Sequence, residues 1–192
     1  MNSEIDICNI ALAKIGADAI RSFDENNKRA RICQRLYISK RDQLLFRMDW
    51  AFARGFAILH QVDTKTTGLV VPDEVYVFSA PADLIVPRRI IELSDKHWWR
   101  LQGEYIWVYR AIDTLSLYYT RQETNVKKFS EVFKSTLAAG LAVELAAAIA
   151  KSSSLARTLF QQYQTEYLIS CANDGNIGSE YPTLDREGDS FI

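Results

Sequence analysis

The most regular hydrophobic pattern of the chain runs from Ser130 to Ser170. This stretch has no proline, a single glycine, and many alanines and leucines, which favour helix. Its large apolar residues recur at helical spacing, and consecutive serines near residue 152 predict a kink or short break because they compete for backbone hydrogen bonds. The predicted apolar stripe is Phe133, Leu137, Leu141, Glu144 or Leu145, and Ala148, continued by Leu155, Leu159, Tyr163, Glu166 or Tyr167, and Ile169.

A helical pattern also occupies the beginning of the chain. Ser3, with an acidic residue three positions later, has the spacing of a capping box, and Gly16 is placed to end the first helix. A second helix is predicted from about Lys28, and a further helical stretch is predicted from Arg41 to Leu59. Residues 1–60 are therefore expected to form N-terminal helices.

The central residues, 61–124, have the pattern of strands separated by turns. The clearest strand is the last one, in which β-branched and aromatic residues alternate with others. The predicted extended segments are Val75–Phe78, a pair hinged at Pro87 between Leu84 and Leu93, a hairpin of Trp99–Leu101 and Tyr105–Tyr109, and Thr114–Thr120. We predict that they form one small antiparallel sheet.

The predicted fold class is α+β, mainly an α-helical bundle with an inserted small antiparallel β-sheet. The C-terminal long helices, within residues 125–173, are expected to pack on the N-terminal helices. The remaining residues, 174–192, are acidic, contain glycine and lack a hydrophobic period, so we predict an extended or mobile tail.

Length, composition and charge limit the classes of protein to which the chain can belong. The 192 residues are enough for one good-sized core, and 48% hydrophobic with 24% charged residues is typical of soluble globular proteins. A net charge of −1 and a pI near 6.1 provide no basic surface for wrapping nucleic acid.

The most apolar window, Leu137 to Ala150, is too short to cross a bilayer and contains Glu144, so no membrane partner is expected. The N-terminal residues do not have the pattern of a secretory signal.

No arrangement of residues in the sequence predicts catalysis. Cys8, Cys33 and Cys171 are far apart within apolar helical patterns and are expected to be free thiols in a reducing compartment. His60 and His97 do not have metal-ligand spacing, and the chain has neither a phosphate-binding glycine loop nor a nucleophile-elbow motif. We expect no enzyme activity, no catalytic residues, no metal and no cofactor.

One cationic segment raises an alternative, a helical DNA-binding or regulatory module. Six basic residues occur between positions 28 and 41, and two more follow in the strand region: Lys28, Arg29, Arg31, Arg35, Lys40, Arg41, Arg88 and Arg89. Asp24, Glu25 and Asp42 lie among the first six, a pattern more typical of a solvated helix face. The alternative stays open at this point.

An aromatic segment has two interpretations as well. Trp50 and Phe52 beside Arg54 could form a stacking platform for bases. An aromatic cluster in the core, with the arginine at its edge, is the interpretation that we favour.

The order of the segments carries a family resemblance. Its most specific blocks are I-C-N-I-A-L-A-K-I-G at Ile7–Gly16, A-R-x-C-x-x-L-Y at Ala30–Tyr37, W-x-F-A at Trp50–Ala53, P-A-D at Pro81–Asp83, and the alanine-rich helix that opens at Phe133. Over roughly Glu4 to Ala172 the chain resembles the tail tubular protein A family of tailed phages, which are head-to-tail adaptors of podovirus-like tails.

The resemblance implies a structural virion protein. Such adaptors form a ring, usually a dodecamer, between the portal protein at the capsid vertex and the tubular nozzle of the tail, and genomic DNA passes through the lumen without specific binding. The implied location is the head-tail junction of the virion, with assembly in the host cytoplasm. The family has no catalytic residues to transfer to this chain.

Two sets of residues are candidates for contacts in such a ring. Small residues on a long helix permit close approach of a neighbour, so we predict a subunit interface at Ala138, Ala139, Ala142 and Ala146, although alanine also simply favours helix. The tail offers anchors for docking to a partner at Tyr181, Pro182, Leu184 and Phe191. Ordinary terminal disorder is the alternative for the tail.

Overall fold

The structure is a computed structural model that describes residues 1–64, 68–93 and 96–175. The fold class is α+β, as predicted from the sequence. The described chain divides into two compact units. Among the described residues, the helical unit comprises Met1–Phe52 together with residues 123–175, and the β unit comprises Ala53–Gln122.

Helix α1 (Glu4–Lys14) has the predicted caps at both ends. The Ser3 hydroxyl oxygen accepts a hydrogen bond from the backbone N–H of Asp6 at 3.1 Å, and the Asp6 carboxylate accepts one from the N–H of Ser3 at 3.1 Å. Gly16 follows the helix with a φ of +69°. Its N–H and that of the next residue return to carbonyls of the last turn, which confirms the predicted helix end.

Helix α2 (Lys28–Arg47) begins as predicted, with Asn27 as its cap. The predicted helical stretch from Arg41 to Leu59 is wrong beyond Arg47. A 3₁₀ turn (Ala51–Ala53) follows, and then strand β1 (Arg54–His60). The apolar residues of β1 also fit a helical period, but pairing of the whole segment with another strand decides the structure.

Helices α3 (Glu131–Ala148) and α4 (Ser153–Gly175) occupy the long hydrophobic stretch. Ser130 caps α3 by accepting a hydrogen bond from the N–H of Phe133 at 3.2 Å. The predicted break is confirmed, because α3 ends at Ala148 and α4 begins at Ser153. In the helical unit α3 packs against α1, α2 and α4.

The β unit contains two three-stranded antiparallel sheets where the sequence predicted one. The remaining strands are β2 (Tyr76–Ser79), β3 (Leu84–Ile90), β4 (Trp99–Gln102), β5 (Tyr105–Val108) and β6 (Thr114–Arg121). The strand orders are β1-β6-β3 and β2-β5-β4. The predicted hairpin of β4 with β5 and the predicted last strand are confirmed. β3 continues through Pro87 as one strand with two register shifts, so the predicted pair of segments is wrong there.

One tyrosine joins three segments of the β unit. Tyr119 of β6 stands opposite Gly55 of β1, where a Cβ atom would lie only 2.5 Å from the tyrosine ring. The Tyr119 hydroxyl donates a hydrogen bond to the Asp83 carboxylate at 3.0 Å. The P-A-D block of the sequence therefore has a structural role, since its aspartate holds a buried tyrosine in place.

Candidate functional site

The predicted subunit interface on α3 is wrong. Ala138, Ala142 and Ala146 are 0% exposed and Ala139 is 3% exposed within the single chain, so they offer no surface to a neighbour. The physical reason is that three helices surround α3, so its small residues serve close packing inside the single chain. Gly140, in the same segment, lies where a Cβ atom would come within 3.0 Å of the Tyr163 ring of α4.

Helix α4 carries three exposed large apolar residues, and the others described in the helical unit are Ile10 on α1 and Ile38 and Phe46 on α2. Leu159, Tyr163 and Ser170 are buried and mark its inner face. Phe160, Leu168 and Ile169 are 45%, 69% and 55% exposed, and we call these three residues the α4 surface. At about 100° per residue, Phe160 and Leu168 lie on one flank of the inner face and Ile169 lies on the other. Ile169 was predicted within the apolar stripe, which is a further correction.

The first flank of α4 borders a groove with the end of α2. The α2–α4 groove has a volume of about 740 Å³ and is lined by Arg47, Phe160, Tyr163, Gln164, Tyr167 and Leu168, among others. Burial raises the pKa of Tyr163, and burial with a hydrogen bond to the Cys171 side chain raises the pKa of Tyr167 to about 12. The Arg47 guanidinium opposes both increases, which places its charge close to the two phenols.

The other flank of α4 borders a smaller cleft with α3. This α3–α4 cleft has a volume of about 330 Å³, and Val132 and Ile169 are among the residues that line it. Glu166 also lines the cleft and forms an ion pair with Lys14 of α1 at 3.4 Å. Each flank of α4 thus combines a concave surface with at least one exposed apolar side chain.

The β unit has an exposed apolar face of its own. Side chains of β1 alternate, so that Phe56 and Ile58 point outward and are each more than half exposed. The ring of Tyr118 on β6 lies 5.0 Å from that of Phe56, centroid to centroid. We call Phe56, Ile58 and Tyr118 the β1 surface.

The six cations of α2 between positions 28 and 41 fall into two groups. Arg29 pairs with Asp18 at 2.6 Å, Arg41 pairs with its neighbour Asp42 at 2.8 Å, and the buried Lys40 pairs with Glu144 of α3. The other three, Lys28, Arg31 and Arg35, are exposed. Their spacing places them on one face of the helix.

The proposed stacking platform for bases is absent at Trp50, which is 0% exposed. Its indole N–H donates a hydrogen bond to the Leu44 carbonyl at 2.9 Å. Its ring meets that of Phe133 edge-on, with 4.9 Å between centroids, and Phe52 packs against the same phenylalanine. The interpretation as an aromatic core cluster is confirmed.

The three thiols are free, as predicted. Cys8 of α1 and Cys33 of α2 are buried, and the hydrogen bond between them, with burial, raises the pKa of the Cys8 thiol. Over residues 1–64, 68–93 and 96–175, no group of three or more His, Cys, Asp or Glu residues could hold a metal ion. None of the described helices is both long and apolar enough to cross a membrane.

Sequence reasoning missed the α4 surface. Its signal was present, because Phe160 and Leu168 are large apolar residues that fall outside the stripe predicted for this helix. The predicted tail anchors Tyr181, Pro182, Leu184 and Phe191 lie outside the described residues.

Comparison with known proteins gave no assignment. No family model matches the chain, and the search of curated proteins also found no match.

Proposed function

We propose that the protein is a structural virion protein, a phage head-to-tail adaptor that forms a ring between the portal protein and the tail nozzle. The family resemblance of the sequence implies a ring that is usually a dodecamer, a location at the head-tail junction, and assembly in the host cytoplasm. Genomic DNA passes through the lumen of this ring without specific binding. The role requires neither catalysis nor a cofactor.

The observation that carries this proposal is the α4 surface. A single exposed apolar residue is ordinary, but Phe160, Leu168 and Ile169 lie on one helix beside two concave surfaces, which is typical of an interaction site. A ring is built from a heterologous interface, in which each subunit uses two different patches. The two flanks of α4 supply two such patches on one rigid element.

The roles of the motif residues support a scaffolding protein. The block Ile7–Gly16 forms most of α1 and its C-terminal cap, and Pro81–Asp83 ends in the carboxylate that holds Tyr119. Trp50–Ala53 contributes to the aromatic core. These three blocks thus build the fold, which is the kind of constraint expected in a protein whose function is to present surfaces.

The low net charge of the chain supports a role in lining a channel for DNA. A net charge of −1 gives few uncompensated cations with which to hold phosphates. Each Lys or Arg that contacts phosphate releases condensed counterions, so a dense set of such contacts binds DNA tightly. A subunit without such a set lets DNA slide past.

The direct test is to mix the purified protein with the portal protein of the same phage and to image the mixture by negative stain. We expect a ring of subunits seated coaxially on the portal. A protein that remains monomeric with its portal present would contradict the proposal.

One observation favours the alternative, a DNA-binding or regulatory module. Lys28, Arg31 and Arg35 form a solvated cationic row on α2. Three phosphate contacts predict a slope of about −3 for the logarithm of the binding constant against the logarithm of salt concentration. A titration of duplex DNA at several salt concentrations measures this slope, and a flat response removes the alternative.

A further inference from the structure

The α2–α4 groove has the features of a peptide-binding site. Phe160 and Leu168 form exposed apolar parts of its wall, spaced two helical turns apart, and the partly buried Tyr167 lies between them. The volume of about 740 Å³ is that of a site that takes several side chains. No described residue of the chain fills it.

The groove also carries one unneutralised charge. Arg47, the last residue of α2, is exposed, lines the groove, and has no ion-pair partner among the described residues. The Tyr163 hydroxyl, in a side chain only 6% exposed, has no hydrogen-bond partner in the same part of the chain. A buried hydroxyl without a partner is uncommon and indicates a place where a further polar group is missing. The groove therefore favours an occupant with apolar anchors and acidic groups.

The chain itself contains a segment of this chemistry. Residues 176–192 include four acidic side chains and one basic one, and they also contain large apolar side chains. The acids are Glu180, Asp185, Glu187 and Asp189, the base is Arg186, and the anchors are Tyr181, Leu184 and Phe191. The net charge of this segment is opposite to that of Arg47, and its apolar anchors match the aromatic and aliphatic wall of the α2–α4 groove.

We propose that the α2–α4 groove of each subunit binds residues 176–192 of a second copy of this chain. The inference rests on the proposed function, because a ring supplies the neighbouring copy. Helix α4 directs the chain at Gly175 away from its own groove, which lies back along the helix beyond Leu168. A segment of this length, fully extended, reaches on the order of 50 Å.

Crosslinking between isotopically distinct copies tests the inference on the full chain. Phe160 is replaced by the photoreactive analogue p-benzoylphenylalanine, and heavy and light preparations are mixed before assembly with portal and irradiation. Digestion after glutamate separates the groove segment from the tail, because Glu166 and Glu180 lie between them. We expect heavy-light crosslinks from position 160 to residues 181–192, and few from the same analogue at Gln162, which is exposed but does not line the groove.

A charge variant tests the role of the arginine. Arg47→Glu is expected to lower the heavy-light crosslink yield about tenfold, equivalent to about 1.4 kcal/mol. Arg47→Lys keeps most of the yield, and Arg31→Glu, an equal change elsewhere on α2, leaves it unchanged. Equal yields for Arg47→Glu and Arg31→Glu would remove the electrostatic part of the inference and overturn the proposed site.

The mass of the same samples separates the two proposals. A ring without tail crosslinks at position 160, or with crosslinks only within one isotope, overturns the second-copy site and leaves the adaptor proposal standing. Heavy-light tail crosslinks in a dimer, with no ring on the portal, support the groove and contradict the adaptor. Absence of both ring and crosslinks overturns both.

Discussion

Helices α3 and α4 come from one hydrophobic stretch of sequence but differ in how much of their surface the rest of the chain covers. α3 buries eleven of its residues, including the four alanines once assigned to a neighbour. α4 buries one face and leaves Phe160, Leu168 and Ile169 exposed on its flanks. Small residues on a helix therefore indicate close packing, but they do not indicate whether the packing partner is the same chain or another one. Large apolar residues that stay exposed in the folded chain indicate a surface available to a partner.

The largest expected change in stability comes from replacing a buried alanine of α3 with a larger residue. Ala142→Trp has no space within the subunit, so we expect the free energy of unfolding to fall by about 3 kcal/mol or more. Urea denaturation followed by circular dichroism measures this change. Ala147→Trp is the matched control, because Ala147 is exposed on the same helix, and we expect a change within about 0.5 kcal/mol.

An Ala142→Trp variant that keeps wild-type stability but fails to assemble would reverse the comparison. It would mean that this face of α3 meets another subunit after all.

A smaller loss of stability is expected when the buried lysine that pairs with α3 is replaced. Lys40 pairs with Glu144, donates a hydrogen bond to Gln43 at 2.9 Å, and lies 5.8 Å from the centroid of the Tyr163 ring. Lys40→Met leaves the Glu144 carboxylate without its partner. Because that carboxylate is about one-third exposed, we expect a loss of about 1–2 kcal/mol in thermal unfolding experiments, less than for a fully buried pair. Lys28→Met, at an exposed position of α2, should leave the melting temperature unchanged, and an equal shift in both variants would refute the burial argument.

The contact between α3 and α4 can be probed at its closest point. An alanine at position 140 gains up to about 1 kcal/mol in helix propensity. Its Cβ, however, would lie 3.0 Å from the Tyr163 ring and 3.2 Å from a methylene of Lys40. Neither side chain moves away easily, because Tyr163 is buried and Lys40 is paired with Glu144. We expect Gly140→Ala to destabilise the protein by about 1 kcal/mol net in urea denaturation. A net stabilisation would show that the two helices pack more loosely than described.

The smallest effect on stability is expected on the exposed flank of α4. Leu168 is 69% exposed, so Leu168→Asp removes little buried area, and the free energy of unfolding should change by less than about 0.5 kcal/mol. The same urea denaturation experiment measures it. A loss as large as that of Ala142→Trp would mean that Leu168 belongs to the core of the subunit.

The sequence predicted the features that local chemistry determines. The capping box at Ser3, the end of α1 at Gly16 and the break before α4 all follow from residues within a few positions of each other. The alternation of Thr114–Thr120 likewise identified β6.

Features that depend on distant partners were predicted poorly. Arg54–His60 fits a helical period, and only its pairing with β6 makes it a strand. The division into two sheets depends on which strands pair, which single-strand patterns do not contain. The α3 alanines look alike on every face, so their burial is decided by three other helices and could not be inferred from the stretch itself.

The central claim, that the α4 surface joins subunits into a ring on the portal, is tested most directly by one mass measurement. Native mass determination is carried out on wild-type protein, Leu168→Asp and Thr158→Asp, each mixed with portal. Thr158 is exposed on α4 but lines neither the groove nor the cleft. We expect a multi-subunit ring on the portal for wild type and Thr158→Asp, and free folded monomer for Leu168→Asp. Rings of equal mass for all three proteins, or no ring for any of them, would contradict the account.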